Sequence, residues 1–194
     1  MAIKAKKSLG QNFLVDKNIL EIISNSTKIN KDNHILEIGP GTGNLTEFLI
    51  KKKPKKIFLI EKDENLVIFL KNRFKENLNI INEDFLKFSK KDLFNDKLIV
   101  FGNLPYNISS QILIKFIINK DKFKFHKLIF MFQKELADRI IAKVNSKNYG
   151  RLSIISNWKF NINKIIDISP NSFLPKPKVK SSLLIFTPKN PLIN

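Results

Sequence analysis

Short apolar runs alternate along this chain with longer stretches whose apolar residues recur every three or four positions. A short apolar run bounded by turn signals predicts a buried strand, and the wider spacing predicts a helix that buries one face. The predicted strands are His34–Ile38, Lys56–Ile60, Leu78–Ile81, Leu98–Phe101, Leu128–Phe132 and Ser182–Phe186. The predicted helices are one capped by Asp16, then Asn44–Lys52, Asn65–Lys75, one from Ser109 or Ser110 through Ile117, and Gln133–Ala142. The segment Leu152–Phe160 fits either type, and the alternation predicts an α/β fold.

The clearest unit is a strand, a glycine-rich turn and a helix in succession. The strand His34–Ile38 leads into Gly39-Pro40-Gly41-Thr42-Gly43, and the helix Asn44–Lys52 follows. This order predicts the ligand-binding half of a doubly wound α/β fold, in which glycines let the backbone approach a ligand at a helix N-terminus.

The charge balance favours a polyanionic partner. The chain has 35 Lys and Arg against 17 Asp and Glu, a formal net charge of +18. A coding bias toward Lys, Ile, Asn and Phe explains part of the Lys content, but it does not explain the scarcity of acids. A surplus of this size is typical of proteins that bind nucleic acid.

Metal, disulfide and membrane chemistry find no support in the composition. The chain has no cysteine, and His34 and His126 lie in different segments without metal-ligand spacing. No apolar run approaches the ~20 residues that a membrane span needs. The sequence therefore predicts a cytoplasmic protein that uses no metal.

Three of the few acids stand at the ends of successive predicted strands. They are Glu37, Glu61 and Asp84. Ligands of open α/β sheets bind at the carboxyl ends of the strands, so we expect these acids at one site, although each could instead cap a helix or turn. Glu61 follows Gly39 at about the 20-residue offset expected for an acid that binds ribose hydroxyls.

The cofactor class follows from the turn spacing and from Glu37. A glycine-rich turn with a later acid suits NAD, FAD or S-adenosylmethionine (SAM). Here the spacing is G-x-G-x-G rather than the dinucleotide G-x-G-x-x-G, and Glu37 stands two residues before the first glycine. A carboxylate there would repel a pyrophosphate but attract the sulfonium and ammonium of SAM. We therefore predict SAM as cofactor and S-adenosylhomocysteine as its product.

A second loop, Asn103-Leu104-Pro105-Tyr106, follows the strand Leu98–Phe101 and Gly102. Asn103 offers an amide acceptor, Pro105 fixes the backbone without an N–H to donate, and Tyr106 offers a flat aromatic face. These groups suit a planar base that carries an exocyclic amine. The alternative for Tyr106 is a core aromatic beneath the loop.

Taken together, these motifs resemble the ribosomal RNA adenine dimethyltransferases, a family with small-subunit (KsgA-type), macrolide-resistance (Erm-type) and mitochondrial transcription-factor members. The matching stretches are Ser8–Leu14, Glu37–Gly43, Glu61–Asp63, Glu83–Phe85, Asn103–Tyr106, Gln133–Glu135, Tyr149–Ser153 and Phe173–Val179. They come in the family's order and cover almost the whole chain. One departure is Glu83, which stands where the family usually has glycine.

The resemblance implies a Rossmann-like SAM-dependent methyltransferase fold, with a mostly parallel seven-stranded sheet and helices on both faces. The catalytic domain with a basic N-terminal arm would cover residues 1–187. Residues 188–194 would form a tail where the family's helical C-terminal domain begins. We expect that domain to be absent, through either a fragment or a naturally short enzyme.

The resemblance also implies a set of cofactor contacts. Gln11 and Asn12 would close over the methionine end of SAM, which the turn backbone would cradle. Glu61 would accept from the ribose hydroxyls, and Asp84 from the adenine amine. The full predicted set is Gln11, Asn12, Leu14, Glu37, Gly39, Gly41, Gly43, Glu61, Lys62, Asp84, Phe85 and Asn103.

On the substrate side, the resemblance implies that Asn103, Leu104, Pro105 and Tyr106 hold the target adenine, with Tyr106 stacked on it. Phe173 would add a second aromatic face, although a chain with 17 Phe residues must bury most of them. Candidate contacts to RNA phosphates are Lys4, Lys6, Lys7, Lys176, Lys178 and Lys180, any of which could instead be a solvated surface charge.

The expected mechanism needs no obligatory general base. An adenine amine is a poor nucleophile because its lone pair is delocalised into the ring. The Asn103 side-chain oxygen and the Leu104 carbonyl would accept its hydrogens and free the lone pair to attack the sulfonium methyl. Positioning would supply most of the acceleration, and the product can lose its proton to water.

The first predicted function is a monomeric enzyme that forms dimethyladenosine in 16S rRNA, within a small-subunit assembly intermediate, and so contributes to ribosome biogenesis. One alternative is a 23S rRNA methyltransferase that confers macrolide resistance. Leu104 favours the small-subunit target, because the resistance relatives more often have Ile in that position. A second alternative is a non-catalytic RNA-binding assembly factor, which the intact SAM and Asn103 motifs argue against.

Overall fold

The fold is a seven-stranded sheet with helices on both faces, in a computed structural model that describes residues 5–6, 9–74, 78–89, 97–119 and 124–189. The strands are β1 Phe13–Leu14, β2 His34–Ile38, β3 Lys56–Glu61, β4 Asn79–Asn82, β5 Leu98–Asn103, β6 Phe125–Gln133, β7 Phe160–Ile168, β8 Phe173–Leu174 and β9 Ser181–Pro188. The helices are α1 Lys17–Asn25, α2 Asn44–Lys51, α3 Glu64–Phe74, α4 Ser109–Ile118, α5 Lys134–Ile140 and α6 Arg151–Lys159.

The strand order is β4-β3-β2-β5-β6-β9-β7. The first five strands run parallel, and β9 is antiparallel to both of its neighbours, which confirms the predicted mostly parallel sheet. The chain moves outward from β2 to β4 and then returns to place β5 on the other side of β2. Such a reversal leaves a crevice at the carboxyl ends of the central strands.

The core lies in two layers because side chains of a buried strand alternate between the faces of the sheet. In β5, Leu98 and Val100 join the apolar cluster covered by α4, α5 and α6. Ile99 and Phe101 join the cluster covered by α1, α2 and α3. Within the described segments, every helix is too short or too polar to cross a bilayer.

The structure adds strands to the sequence prediction and changes one helix start. The ambiguous segment Leu152–Phe160 is helical through Lys159 and forms most of α6, and the edge strand β7 follows it unpredicted, because its mostly exposed side chains and irregular register give no clear two-residue period. Ser109 begins α4 instead of capping it, and its hydroxyl donates to the Tyr106 carbonyl at 3.1 Å. The predicted helix end at Lys75 lies outside the described residues.

A small separate sheet joins the two ends of the chain. Its strands β1 and β8 run antiparallel, and Leu14 pairs with Phe173. The neighbouring Ser172 hydroxyl donates to Asp16 at 3.0 Å, while Asp16 caps α1 as predicted. This pairing places the N-terminal motif beside the loop that follows β8.

Candidate active site

A cavity of about 190 Å³ opens at the carboxyl ends of β2, β3, β4 and β5. It brings together residues that the sequence analysis selected from separate motifs. These lining residues are Gln11, Asn12, Leu14, Glu37, Gly39, Gly41, Glu61, Lys62, Asp84, Phe85, Asn103, Leu104, Pro105 and Tyr106. The predicted cofactor and substrate motifs therefore share one cavity.

Two predicted contacts do not reach this cavity and are corrected. Phe173 is only 2% exposed and packs in the core, because the β1–β8 pairing turns its ring inward. Gly43 precedes α2 with a φ of 78°, and a Cβ there would meet the Phe74 ring at 2.5 Å. The glycine at position 43 therefore serves the packing of α3 against the turn.

Gly39 has a different surrounding. Its φ is 65°, yet a Cβ added there would meet no atom within 4 Å. Since Gly39 lines the cavity, its missing side chain leaves room for a bound group to approach the backbone.

We expect the two glycines to separate stability from binding. Gly43→Ala should lower the free energy of unfolding by about 2–4 kcal/mol, through the Phe74 and Leu70 clashes and the left-handed backbone. Gly39→Ala should cost about 1–2 kcal/mol from the backbone alone and mainly weaken cofactor binding. Denaturant unfolding measures the loss of stability, and calorimetric titration measures the loss of cofactor affinity.

Gly150→Ala is the matched control, because the backbone of Gly150 is extended and its surroundings are open. Equal losses of stability at positions 39 and 43 would contradict the assignment.

Glu37 is a buried acid at the cavity wall, and its Oε2 accepts a hydrogen bond from the Thr46 hydroxyl at 2.7 Å. Burial raises the pKa of this carboxyl to about 7; the Thr46 bond lowers the pKa in part, and the charge of Glu61 adds to the increase. A nearby cation favours the ionised form of such a group. Glu37 therefore suits a ligand that brings positive charge into the cavity.

Glu61 is held by the backbone at the end of β3. Its carboxylate accepts from the Gly41 N–H at 3.1 Å and from the Asp63 N–H at 2.9 Å. Burial raises the pKa of Glu61, and these backbone bonds offset part of that increase. Each carboxylate oxygen has two lone pairs, so Glu61 can still accept from ligand hydroxyls.

Asp84 follows β4 and lines the same cavity. It accepts from the Lys62 ammonium at 2.8 Å and from the Leu86 N–H at 2.9 Å. Burial by itself raises the pKa of Asp84, but these two hydrogen bonds outweigh it and hold the pKa below its usual range. Asp84 is therefore an anionic acceptor at neutral pH, and Lys62 is its ion-pair partner.

The N-terminal segment is tied to Asp63, a nearly buried carboxylate after β3. Asp63 accepts from the Lys6 ammonium at 2.7 Å and from the Gln11 side-chain amide at 3.1 Å. The Gln11 oxygen in turn accepts from the Lys6 N–H at 2.7 Å. Lys6 itself is exposed, so its role as a phosphate contact stays a prediction beside this ion pair.

The orientation of the Asn103 amide follows from one long-range hydrogen bond. Asn103 Nδ2 donates to the Asn12 carbonyl at 3.0 Å, which a side-chain oxygen could not do. The amide oxygen is thereby fixed on the other side of the group. Among the described residues, this Oδ1 has no hydrogen-bond partner.

The carbonyls that follow Asn103 divide into used and unused acceptors. Pro105 accepts from the Ile108 N–H at 3.1 Å, and Tyr106 accepts from Ser109. For the Leu104 carbonyl, the described part of the chain supplies no donor. Asn103 and Leu104 thus provide two neighbouring free acceptors on residues that line the cavity.

Tyr106 is half-buried and lines the cavity, so it is not a core aromatic. Its hydroxyl shares a 2.7 Å hydrogen bond with the Ser181 hydroxyl at the start of β9. Burial raises the pKa of Tyr106, and the Ser181 bond lowers it only in part, so the phenol is neutral. The bond anchors the hydroxyl end of a ring that lines the cavity.

We expect the ring of Tyr106 to matter more than its hydroxyl. Tyr106→Ala should lower kcat/KM for RNA by about 5- to 150-fold, because a base stacked on an aromatic ring gains ~1–3 kcal/mol. Tyr106→Phe retains the ring and should lose less than tenfold, since it removes one neutral hydrogen bond worth ~1 kcal/mol. Steady-state kinetics measures both. Tyr149→Ala, which removes the other tyrosine outside the cavity, should behave as wild type; equal losses for Phe and Ala at position 106 would contradict stacking.

Three of the remaining predicted phosphate contacts lie on the surface. Lys176, Lys178 and Lys180 are exposed on the loop between β8 and β9, while Lys4 and Lys7 lie outside the described residues. In the described part of the chain, no three His, Cys, Asp and Glu side chains cluster as a metal site requires.

Sequence reasoning missed three residues that hold the site. Asp63 followed Glu61 within a matching motif and could have been suspected from its place at a strand end. Thr46 lies in the first turn of α2 and contacts Glu37. Ser181 gave no signal, because only the tertiary fold brings it to Tyr106.

Comparison with known proteins identifies the family of this chain. Residues 2–194 match the family model for ribosomal RNA adenine dimethylase. The chain belongs to this family. The resemblance predicted from the motifs is thus confirmed, and with it the class of enzyme.

Two bacterial relatives with the same name are similar to this chain over nearly its whole length. Ribosomal RNA small subunit methyltransferase A of Pelagibacter ubique (strain HTCC1062) is 57% identical over 190 residues, which are 97% of this chain and 72% of the relative. The protein of that name from Mycoplasma mobile is 47% identical over 195 residues, which are 100% of this chain and 74% of the relative.

Solved structures give the same fold. A dimethyladenosine transferase from Plasmodium falciparum superposes with a TM-score of 0.81 at 34% identity; the match covers 91% of this chain and 63% of that one. The 23S rRNA methyltransferase ErmE superposes with a TM-score of 0.82 over 94% of this chain and 72% of that one. Because the two sequences are only 24% identical, this match supports the fold and not the function. These neighbours confirm the Rossmann-like methyltransferase fold of this dimethylase family member.

Proposed function

We propose that this chain transfers methyl groups from SAM to the exocyclic amine of adenines in small-subunit rRNA, which yields dimethyladenosine. The observation that carries the proposal is the pair of acceptors without a donor among the described residues, Asn103 Oδ1 and the Leu104 carbonyl, on residues that line one cavity with Tyr106. An amine with two hydrogens, on a flat base, is complementary to that arrangement. Membership of the adenine dimethylase family supports the base, and the names of the two bacterial relatives support the subunit.

The cavity fits SAM by the chemistry of its donors and acceptors. SAM supplies an electrophilic methyl group on a sulfonium. Glu37 would face the cationic part of the molecule, Glu61 would accept from the ribose hydroxyls, and Asp84 would accept from the adenine amine. The open space beside Gly39 would admit the ligand to the backbone of the turn. The chain has a net charge of +18, yet three carboxylates line this one cavity. Their charge favours a cationic ligand.

The chain's own residues prepare the amine. Asn103 Oδ1 and the Leu104 carbonyl accept one hydrogen each, so the nitrogen becomes pyramidal and its lone pair leaves conjugation with the ring. Because the Asn12 carbonyl already holds the Asn103 amide, no reorientation is needed during the reaction. Tyr106 holds the base by stacking, and the proton of the product passes to water.

The partner we propose is rRNA within a small-subunit assembly intermediate, bound by a single copy of this chain in the cytoplasm. The surplus of basic residues supports a polyanionic partner. Lys176, Lys178 and Lys180 are exposed and would contact RNA phosphates.

A labelling experiment tests the proposed function. The protein is incubated with methyl-labelled SAM and either unmethylated small subunits or naked large-subunit rRNA, and the labelled nucleotides are mapped. We expect dimethyladenosine in small-subunit rRNA. Label confined to large-subunit rRNA would overturn the proposed target, and no label in either sample, despite SAM binding, would overturn the proposed reaction.

A further inference from the structure

Lys115 occupies an unusual position in the middle of α4. Its ammonium donates to three backbone carbonyls, those of Phe85 at 2.6 Å, Leu86 at 2.9 Å and Phe88 at 2.6 Å. An ammonium has three N–H donors, so each donor has a carbonyl to meet. All three carbonyls belong to the short turn that begins at Asp84.

This turn is fixed at both ends by charged groups. At its start, the Asp84 carboxylate accepts from the Leu86 N–H, and the Asp84 carbonyl accepts from the Phe88 N–H at 3.0 Å. At its end, the carbonyls converge on Lys115. A cation beside the carbonyl end of a helical turn is favourable, because the peptide dipoles place partial negative charge there.

The same ammonium also holds Phe85, which lines the cavity and is only 4% exposed. It lies 5.1 Å from the centre of the Phe85 ring. On the adjacent residue of α4, the Phe116 ring stacks against Phe85 at 5.4 Å. One helix therefore fixes the ring and the turn together.

We propose that Lys115 is a positioning residue that sets Asp84 and Phe85 for the adenine of the methyl donor. Because α4 begins directly after the Asn103–Tyr106 loop, Lys115 joins the donor side of the cavity to the helix that follows the acceptor loop. The inference deepens the proposed function and rests on it, since it assumes that Asp84 recognises the adenine amine.

The test compares two ligands that differ at the amine. Calorimetric titration measures the affinity of S-adenosylhomocysteine and of S-inosylhomocysteine, which has an oxygen in place of that amine. Wild type should prefer the amine by about tenfold or more, because the amine donates to a charged acceptor. Lys115→Met should bring this preference close to one, and Lys115→Arg should restore most of it.

Lys87→Met is the matched control. Lys87 is exposed in the same turn and its charge also acts on Asp84, but its side chain holds none of the three carbonyls. This variant should keep the wild-type preference. Circular dichroism and thermal unfolding establish that each variant is folded.

The results for Lys115→Met and for the wild-type protein test different steps of the proposal. A Lys115→Met variant that keeps the wild-type preference, or that loses affinity for both ligands equally, overturns the positioning role. A wild-type protein that binds S-adenosylhomocysteine without preferring the amine overturns the role of Asp84 and leaves the methyltransferase proposal standing. A wild-type protein that binds neither ligand overturns the proposed function itself.

Discussion

Replacing Asn103 with alanine should lower turnover by about 10²–10³-fold, the size of loss expected when one preorganised polar group is removed from a reacting centre. The variant retains the Leu104 carbonyl but loses the side-chain acceptor and its bond to the Asn12 carbonyl. Single-turnover transfer of labelled methyl groups measures the loss. The affinity for SAM should change little, because the three carboxylates of the cofactor side are untouched.

Asn161→Ala is the matched control for this prediction. Asn161 is an exposed amide on the edge strand β7, and its removal should leave turnover at the wild-type value. Unchanged turnover in Asn103→Ala would sink the proposed role of the amide oxygen. A parallel loss of SAM affinity in that variant would instead assign Asn103 to the cofactor.

The second large effect is a pH dependence of SAM binding that originates at Glu37. Burial raises the pKa of Glu37 to about 7 in the ligand-free protein. Below that pH the carboxyl is protonated, and it must lose its proton before it can pair with a cationic ligand. The affinity for SAM should therefore fall about tenfold between pH 8 and pH 6, and binding near pH 7 should release protons. Calorimetric titration in buffers of different ionisation enthalpy measures both.

The sign of this linkage is set by the direction of the shift. A raised pKa means that the folded, ligand-free protein favours the protonated carboxyl, so Glu37 stabilises the fold least above pH 7. Cofactor binding reverses that preference. Glu37→Gln should bind more weakly at pH 8 with a flatter profile, whereas Glu135→Gln, at an exposed position on α5, should keep the wild-type profile. A slope that persists unchanged in Glu37→Gln would contradict the assignment.

The local sequence pattern was sufficient to predict the strand, turn and helix that form the cofactor side of the cavity. The strand β2, the glycine turn and α2 are contiguous in sequence, and their order is enough to predict where Glu37 and Gly39 lie. The strand ends of a parallel sheet meet at one edge, which is why the sequence alone could place Glu61 and Asp84 together with Glu37.

The predictions that were corrected depended on tertiary contacts. Phe173 offered only its residue type, and its burial is decided by the pairing with Leu14 at the other end of the chain. Gly43 looked like Gly39 in sequence, yet its surroundings come from α3. In each case the deciding neighbour is distant in sequence, so periodicity contains no information about it.

The β1–β8 pairing has a consequence for how the enzyme comes into being. The first residues of the cavity, Asn12 and Leu14, are held by the end of β5 and by β8, which are synthesised long after them. A nascent chain that has completed β2, α2 and β3 already carries the glycine turn and two of the acids, but its cavity has no fixed front wall. Contacts between distant parts of a chain form late, since their loop-closure entropy must be overcome first. The capacity to hold the methyl donor should therefore emerge late in folding, once β1 has paired with β8.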